Sequence, residues 1–183
     1  MFSRSDWAGM DEDQRRESLQ GIETREAVEQ GRPAATVISH DYDDPRVCGH
    51  YDPNNNEIHI NSNDIRADQP DEALDTVYHE GRHAYQHSEA ANPEVADNPE
   101  YAQQCKDGLG DNYINYQEDP EGYENQFVEQ DARGYAQDKV NDYNQNEGQY
   151  HSGLYNDNQS QNNTNEASES QESSEGENYA YSY

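Results

Sequence analysis

Residues 68 to 88 carry the strongest secondary-structure pattern in this chain. The start of the segment has the composition of a helix terminus, with Asp68 as the predicted N-cap and Pro70 as a first-turn residue. Mostly apolar side chains then recur every three or four residues, as one face of a helix requires. They are Ala73, Leu74, Val77, Tyr78, Ala84 and Tyr85. The pattern predicts a long amphipathic helix.

Weaker patterns on both sides of that helix predict an α+β domain. In the segment Glu57 to Asn61, strict alternation places Ile58 and Ile60 on the core face of a strand and the polar side chains on the other face. The other predicted elements are a helix from Met10 to about Gln30, a strand from Ala35 to Ser39, a first hairpin arm from Val47 to Tyr51, a helix between Tyr101 and Tyr116, and a last helix from Tyr123 to about Val140.

Apolar residues are concentrated in the first part of the chain. Val, Ile, Leu and Tyr recur from Val37 to Ala136, whereas beyond Leu154 the only apolar residues are Ala and Tyr. We therefore predict one folded domain over residues 1–140 and a disordered polar and acidic tail over residues 141–183. The alternative is an adhesive or self-associating tail built on Tyr155, Tyr179, Tyr181 and Tyr183.

The charge balance limits the partners of the domain. The 40 Asp and Glu residues against 11 Lys and Arg residues give a formal net charge of −29. Such a surface repels nucleic-acid phosphates and anionic membrane lipids, which we exclude as partners, and it suits cationic partners or high salt. The chain also lacks an apolar run of the roughly 18 residues that span a membrane, and its N-terminus lacks the apolar region of a Sec-type signal. We expect a cytoplasmic protein or one exported by another route, with Cys48 and Cys105 as free thiols.

The predicted long helix contains the sequence HEGRH, from His79 to His83. This i, i+4 spacing places both imidazoles on one helix face, where they can bind one tetrahedral zinc at about 2.1 Å. Glu80 lies next to the first ligand, in the position of a general base that acts on zinc-bound water. About 0.03 matches to this motif are expected by chance in a chain of this composition. Gly81 costs the helix roughly 1 kcal/mol relative to alanine, and surface propensity gives no reason for it.

A zinc site needs a third ligand, and without one the motif is a surface helix with two solvated histidines. His87 continues the histidine stripe, but it lies about 12 Å from His79 along the helix axis, too far to share one ion. The metzincin pattern is excluded because it needs Gly at position 86 and His at position 89, where the chain has Gln86 and Glu89.

A carboxylate on the last predicted helix can supply the third ligand. Glu129 lies mid-helix beside Phe127 and Val128, where an unpaired carboxylate would be costly to bury. Most helix carboxylates are solvated, however, so the pattern alone does not select it. The rival ligands are Glu121, Glu124 and Asp131.

Three segments of the chain together resemble a family of small bacterial zincin domains: GHYDPNNNEIHIN, HEGRHAYQH and YENQFVEQDARGYA. The family consists of gluzincin-like metallopeptidase modules of phage-associated proteins and secreted polymorphic toxins. Its last segment resembles Y-x-x-Q-P-x-E-x-D-A-R-x-x-A, in which Phe127 replaces the usual proline, a change that bears on the helix start. The matching residues are Tyr123, Gln126, Glu129, Asp131, Ala132, Arg133 and Ala136, and the similarity covers roughly residues 7 to 140.

The resemblance implies a zincin-like fold: an N-terminal helix, a small mostly antiparallel sheet, the HExxH helix and a C-terminal helix that bears Glu129 as the third zinc ligand. In such a fold a sheet edge strand beside the motif helix binds an extended peptide by β-augmentation. The candidate strand consists of Glu57, Ile58, His59, Ile60 and Asn61, with a plain sheet hairpin as the alternative. Asp131 and Arg133 are candidates to orient the histidine ligands. The residue that stabilises an oxyanion is left open among Tyr78, Tyr85, Tyr123 and Tyr135.

The expected function is zinc-dependent hydrolysis of a peptide or protein substrate, and the resemblance adds a secreted or phage-associated effector as a setting. One alternative is a non-catalytic module in which zinc holds two helices together and the acidic surface binds a cationic partner. Glu80 favours the enzyme, because a purely structural site has no use for a base. A disordered acidic spacer is the third possibility.

Overall fold

The computed structural model describes residues 1–110 and 112–150, which form an α+β domain with one small sheet. The predicted fold class is confirmed at this level, and the part of the predicted tail beyond residue 150 lies outside the described residues. In chain order the elements are α1 (Arg4–Gly9), α2 (Glu12–Glu29), β1 (Thr36–His40), β2 (Gly49–Asp52), β3 (Glu57–Asn61), α3 (Ser62–Arg66), α4 (Asp71–Ala91), a 3₁₀ turn (Pro93–Val95), α5 (Pro99–Leu109), α6 (Pro120–Asn125) and α7 (Phe127–Tyr150).

The sheet has three strands in the order β1-β3-β2, so β3 is its central strand. Strand β1 runs parallel to β3, with Val37 opposite Ile58, and β2 runs antiparallel to it, with Tyr51 opposite Ile58. The prediction of a mostly antiparallel sheet is wrong, because β1 pairs with the second hairpin arm instead of the first. The prediction of Glu57–Asn61 as a peptide-binding edge strand is also wrong, since β3 is hydrogen-bonded to a strand on each side.

The main core lies between the inner face of the sheet and helix α4. Ile58 and Ile60 are fully buried in it, as the alternation predicted, and Val77 joins them from α4. Gly49 lets β2 approach α4 closely, because a Cβ there would lie 2.5 Å from the Thr76 methyl carbon. This packed core does not fit the alternative of a disordered acidic spacer.

The N-terminal residues form a short helix, α1, that the sequence patterns did not predict. Ser3 and Asp6 make a reciprocal capping box at its start. Trp7 is fully buried, and its indole N–H donates to the main-chain carbonyl of Ala67 at 2.9 Å. A helix of six residues is too short to show a periodic apolar pattern, so tertiary contacts carry its position.

Helix α4 begins at Asp71, two residues later than a helix with Asp68 as its N-cap would begin. Its N-cap is Pro70, whose carbonyl accepts the first helical hydrogen bond from the amide of Leu74 at 2.8 Å. The prediction of Asp68 as N-cap is therefore wrong. The acidic first turn is as expected.

Helix α2 packs against α4 at Gly81, where α4 has no side chain. Glu23 and Arg32 form a bidentate ion pair there, with N–O distances of 2.6 and 2.9 Å and both side chains 1% exposed. The amide of Ala35 also donates to Glu23 at 2.8 Å. A Cβ at Gly81 would lie only 2.9 Å from Oε2 of Glu23. The glycine of HEGRH therefore has a packing reason that helix propensity could not reveal.

Helix α7 extends the domain beyond its predicted end. It runs from Phe127 to Tyr150, so the predicted boundary between residues 140 and 141 falls inside it. Tyr143 is buried, and its ring centroid lies 6.0 Å from that of Phe2. The boundary lies further along the chain than predicted, because the N-terminus holds this polar stretch of helix in place.

Both cysteines are buried free thiols, as expected. Burial raises the pKa of Cys48 to about 12 and that of Cys105 to about 11. Neither is therefore a reactive thiolate at neutral pH. Among the helices of the described part, none has the length and apolar character needed to cross a membrane.

Candidate metal centre

Three side chains from two helices meet in the interior. His79 and His83 lie one turn apart on α4, with their Nε2 atoms 3.1 Å apart. Glu129, in the first turn of α7, reaches both: Oε2 lies 3.3 Å from Nε2 of His79 and Oε1 lies 3.4 Å from Nε2 of His83. All three side chains are 0–2% exposed. The structure thus brings together the motif histidines and the carboxylate favoured by the resemblance.

The rival carboxylates lie elsewhere. Glu121 and Glu124 are exposed on α6. Asp131 forms a bidentate ion pair with Arg82, at 2.8 and 3.0 Å. Within residues 1–110 and 112–150, the triad of two histidines and Glu129 is the one group of three or more His, Cys, Asp or Glu residues whose ligand atoms all lie within 4.8 Å of one another.

The spacing of the triad fits a tetrahedral metal ion. With metal–ligand bonds of about 2.0–2.1 Å, neighbouring ligand atoms of a tetrahedron lie about 3.3–3.4 Å apart. The N–N distance is 3.1 Å, and the two N–O distances, each to a different oxygen of Glu129, are 3.3 and 3.4 Å, close to that edge length. Two imidazoles and one carboxylate are a donor set that suits zinc and leaves a fourth position for another ligand.

The charges of the cluster depend on one another. Burial alone would raise the pKa of Glu129, but His83 and His79 hold it well below the usual range. Burial also opposes the charging of His83, yet Glu129 outweighs it, together with Glu80, and raises the pKa of His83 to about 9. In the metal-free protein His83 therefore carries a proton at neutral pH, and a metal ion would displace it.

Glu80 is fully buried beside the triad. Burial raises its pKa, while the two histidines and a main-chain hydrogen-bonding group of Tyr51 act in the opposite direction. Neither carboxylate oxygen accepts a hydrogen bond of ordinary geometry from the described residues. A buried carboxylate without such bonds is costly. It fits a site that holds a cation and a reacting group.

The partner of His83 outside the triad is Gln86, which sequence reasoning did not identify. Oε1 of Gln86 lies 2.8 Å from Nδ1 of His83, and Nε2 donates to Asp131 at 2.8 Å. Asp131 therefore reaches the ligand through Gln86. Arg133 donates to the main-chain carbonyl of Glu124, so the prediction that it orients a histidine is wrong: its guanidinium binds the end of α6. The i, i+3 spacing from His83 was the available signal for Gln86.

The four tyrosines considered for oxyanion stabilisation lie in different places. Tyr123 is at the triad, where burial and then the nearby carboxylates raise the pKa of its hydroxyl. The ring centroids of Tyr85 and Tyr135 each lie 4.7 Å from Cζ of Arg82, and Tyr78 belongs to the main core. Tyr123 is therefore the candidate among them, because the carboxylates of Glu129 and Glu80 act on its hydroxyl.

The connection between α5 and α6, described for residues 112 to 119, reaches the triad through Tyr113. Tyr113 in this segment donates its hydroxyl proton to Oε1 of Glu129 at 3.1 Å. Ile114 is fixed by Gln126, whose side chain accepts from its amide at 3.1 Å and donates to its carbonyl at 3.0 Å. No periodic pattern connects Tyr113 with Glu129, so the sequence held no signal for this contact.

Comparisons with known proteins add no assignment. Neither the protein-family models, nor the curated proteins, nor the solved structures contain a significant match to this chain. The resemblance to zincin domains therefore stays a prediction, and the site must be interpreted from its own geometry.

Proposed function

We propose that this protein is a zinc-dependent hydrolase of peptide bonds, with His79, His83 and Glu129 as ligands and Glu80 as the base. The observation that carries the proposal is the geometry of the buried cluster. The two imidazoles and the Glu129 carboxylate lie within 3.1–3.4 Å of one another, and the carboxylate that follows the first ligand is buried next to them. The zinc cofactor and the peptide or protein substrate that the sequence predicted are part of this proposal.

Each residue has a defined task in this mechanism. Zinc, when bound, supplies the Lewis acid that activates water and polarises the scissile carbonyl. Glu80 accepts the proton of the attacking water and passes it to the leaving amine, a task for which a pKa raised by burial is suitable. Tyr123 is the candidate donor to the developing oxyanion.

An extended substrate can pair with strand β2 instead of with β3. Strand β2 is at an edge of the sheet, and among the described strands it pairs with β3 only. The main chain of Tyr51 in β2 lies close enough to Glu80 to influence its pKa. A peptide added to this edge by β-augmentation would therefore run past the base.

A non-catalytic zinc-stabilised module is the second candidate, and the burial of the site favours it. All four residues of the centre are 0–2% exposed, and the Tyr113 hydroxyl donates to Glu129. Structural zinc sites are closed by four protein ligands, and this centre supplies three, so only its burial favours the module. Hydrolysis would require a movement that opens this buried centre to substrate. In a non-catalytic module of this kind, the acidic surface would bind a cationic partner.

Glu80→Gln distinguishes the two candidates. The enzyme should lose cleavage of a mixed peptide library while it keeps one zinc per chain, because the amide cannot accept the proton. Glu89→Gln, a half-buried change on the same helix, is the matched control and should cleave as the wild type does. Equal turnover in Glu80→Gln would contradict the mechanism. Zinc-loaded wild type that cleaves no peptide would favour the second candidate.

A further inference from the structure

Gln86 is a fully buried polar residue that connects the two helices of the metal centre. Its side chain makes three contacts of 2.8 Å: to Nδ1 of His83 on α4, and to the main-chain carbonyl of Val128 and the carboxylate of Asp131 on α7. One of these partners is a proposed ligand, and another, Val128, directly precedes the ligand Glu129. A neutral amide in this position links the two ligand-bearing helices.

The orientation of the Gln86 amide follows from its partners. The carbonyl oxygen of Val128 and the ionised carboxylate of Asp131 are acceptors that have no proton to donate. Asp131 forms a bidentate ion pair with the Arg82 guanidinium, at 2.8 and 3.0 Å, so its oxygens can only accept from Gln86. The NH₂ group of Gln86 must therefore face both of them. A flipped amide would place its oxygen 2.8 Å from two other acceptors.

This orientation determines the proton position on His83. With the NH₂ group committed to α7, the Gln86 oxygen faces Nδ1 of His83, and it can only accept. Nδ1 must therefore carry the proton in neutral His83. Nε2 is then the unprotonated nitrogen, and it lies 3.1 Å from Nε2 of His79 and 3.4 Å from Oε1 of Glu129.

We propose that Gln86 is a positioning residue that sets the Nδ1–H tautomer of His83 and holds α7, with Glu129, in register with α4. The inference rests on the proposed metal site, but not on peptide hydrolysis. Asp131 supports Gln86 from behind, since it is itself held by Arg82 through two hydrogen bonds and by Tyr101 at 2.7 Å. Groups that orient metal-bound imidazoles in this way typically contribute 10- to 100-fold to metal affinity.

The test combines histidine NMR with zinc titration. Long-range ¹H–¹⁵N spectra of the metal-free protein, at a pH high enough for His83 to be neutral, report which ring nitrogen carries the proton. Wild type should show Nδ1–H, because the Gln86 oxygen accepts from that nitrogen. Gln86→Leu should shift toward Nε2–H, the form that a free imidazole prefers. Zinc affinity should fall about 10- to 100-fold in Gln86→Leu.

Thr76→Val is the matched control, because Thr76 is buried on the same helix and its hydroxyl has no hydrogen-bond partner among the described residues. It should change neither the tautomer nor the zinc affinity. Nε2–H in wild-type His83 would overturn the inference, and this result needs no variant to fold. Unchanged zinc affinity in Gln86→Leu would overturn it as well. Wild type that shows Nδ1–H but binds no zinc would leave the orienting role intact and remove the proposed function instead.

Discussion

Replacing Gly81 with alanine should destabilise the domain, although the same change in an exposed helix stabilises it. Gly81 lies in the middle of α4, so helix propensity alone predicts a gain of about 1 kcal/mol. The added Cβ would lie 2.9 Å from Oε2 of Glu23 and 3.5 Å from Nη2 of Arg32. A contact of 2.9 Å is shorter than carbon and oxygen atoms tolerate, so one side must move.

The carboxylate of Glu23 is not free to move. Both oxygens are bound by Arg32, and one also accepts from the amide of Ala35. Breaking a buried ion pair typically costs 3–5 kcal/mol, and overpacking that leaves the pair distorted costs about 1–3 kcal/mol. Subtracting the propensity gain of about 1 kcal/mol leaves a net loss for Gly81→Ala of about 0–2 kcal/mol if the pair is only distorted, and of about 2–4 kcal/mol if it breaks.

Denaturant unfolding measures this difference, with Gly134→Ala as the matched control. Gly134 lies in helix α7, is exposed, and a Cβ there would meet no atom within 4 Å. The control should gain about 0.5–1 kcal/mol in the free energy of unfolding. The reasoning is refuted if Gly81→Ala is as stable as Gly134→Ala, because the ion pair would then not constrain the helix.

Three further predictions concern the site and its supports. Because His83 has a pKa of about 9 in the metal-free protein, zinc must displace its proton, and apparent zinc affinity should rise about tenfold per pH unit from 7 to 9 and then level off. A flat titration series over that range would contradict the coupling of His83 to the carboxylates. Arg82→Lys should lose about 1–3 kcal/mol of unfolding free energy, because lysine cannot reproduce the bidentate pair with Asp131; an unchanged denaturation midpoint would refute this. Tyr113→Phe removes the bond to Glu129, so amide exchange of residues 112–119 should accelerate roughly tenfold or more; unchanged exchange would show that this bond does not hold the segment.

The parts of the site that lie on one helix could be predicted from the sequence. His79, Glu80 and His83 are related by the geometry of a single helix turn, so their spacing carries the information. Glu129 lies 46 residues beyond His83. Local chemistry did not distinguish it from the other candidate carboxylates, and only the resemblance to zincin domains favoured it as the third ligand. Gln86 was visible as a neighbour of His83, but its role depends on acceptors of α7 that have no local signature.

The errors in the predicted fold come from contacts between distant segments. The alternation of β3 was visible, but whether a strand is central or at an edge depends on which other strand joins it. Here β1 pairs with β3 across the hairpin. The extension of α7 depends on Tyr143 meeting Phe2 at the other end of the chain. Because such contacts hold a polar helix in place, its composition is the same as that of a disordered tail, and composition alone cannot distinguish the two.

Zinc content tests the central claim most directly. Mass spectrometry of protein purified without chelator should find one zinc per wild-type chain, and the zinc should be lost or much weakened in Glu129→Gln. The control Glu124→Gln, an exposed carboxylate and former rival, should retain it. Zinc retained in Glu129→Gln, or a wild-type chain that takes up no metal, would contradict the three-ligand site.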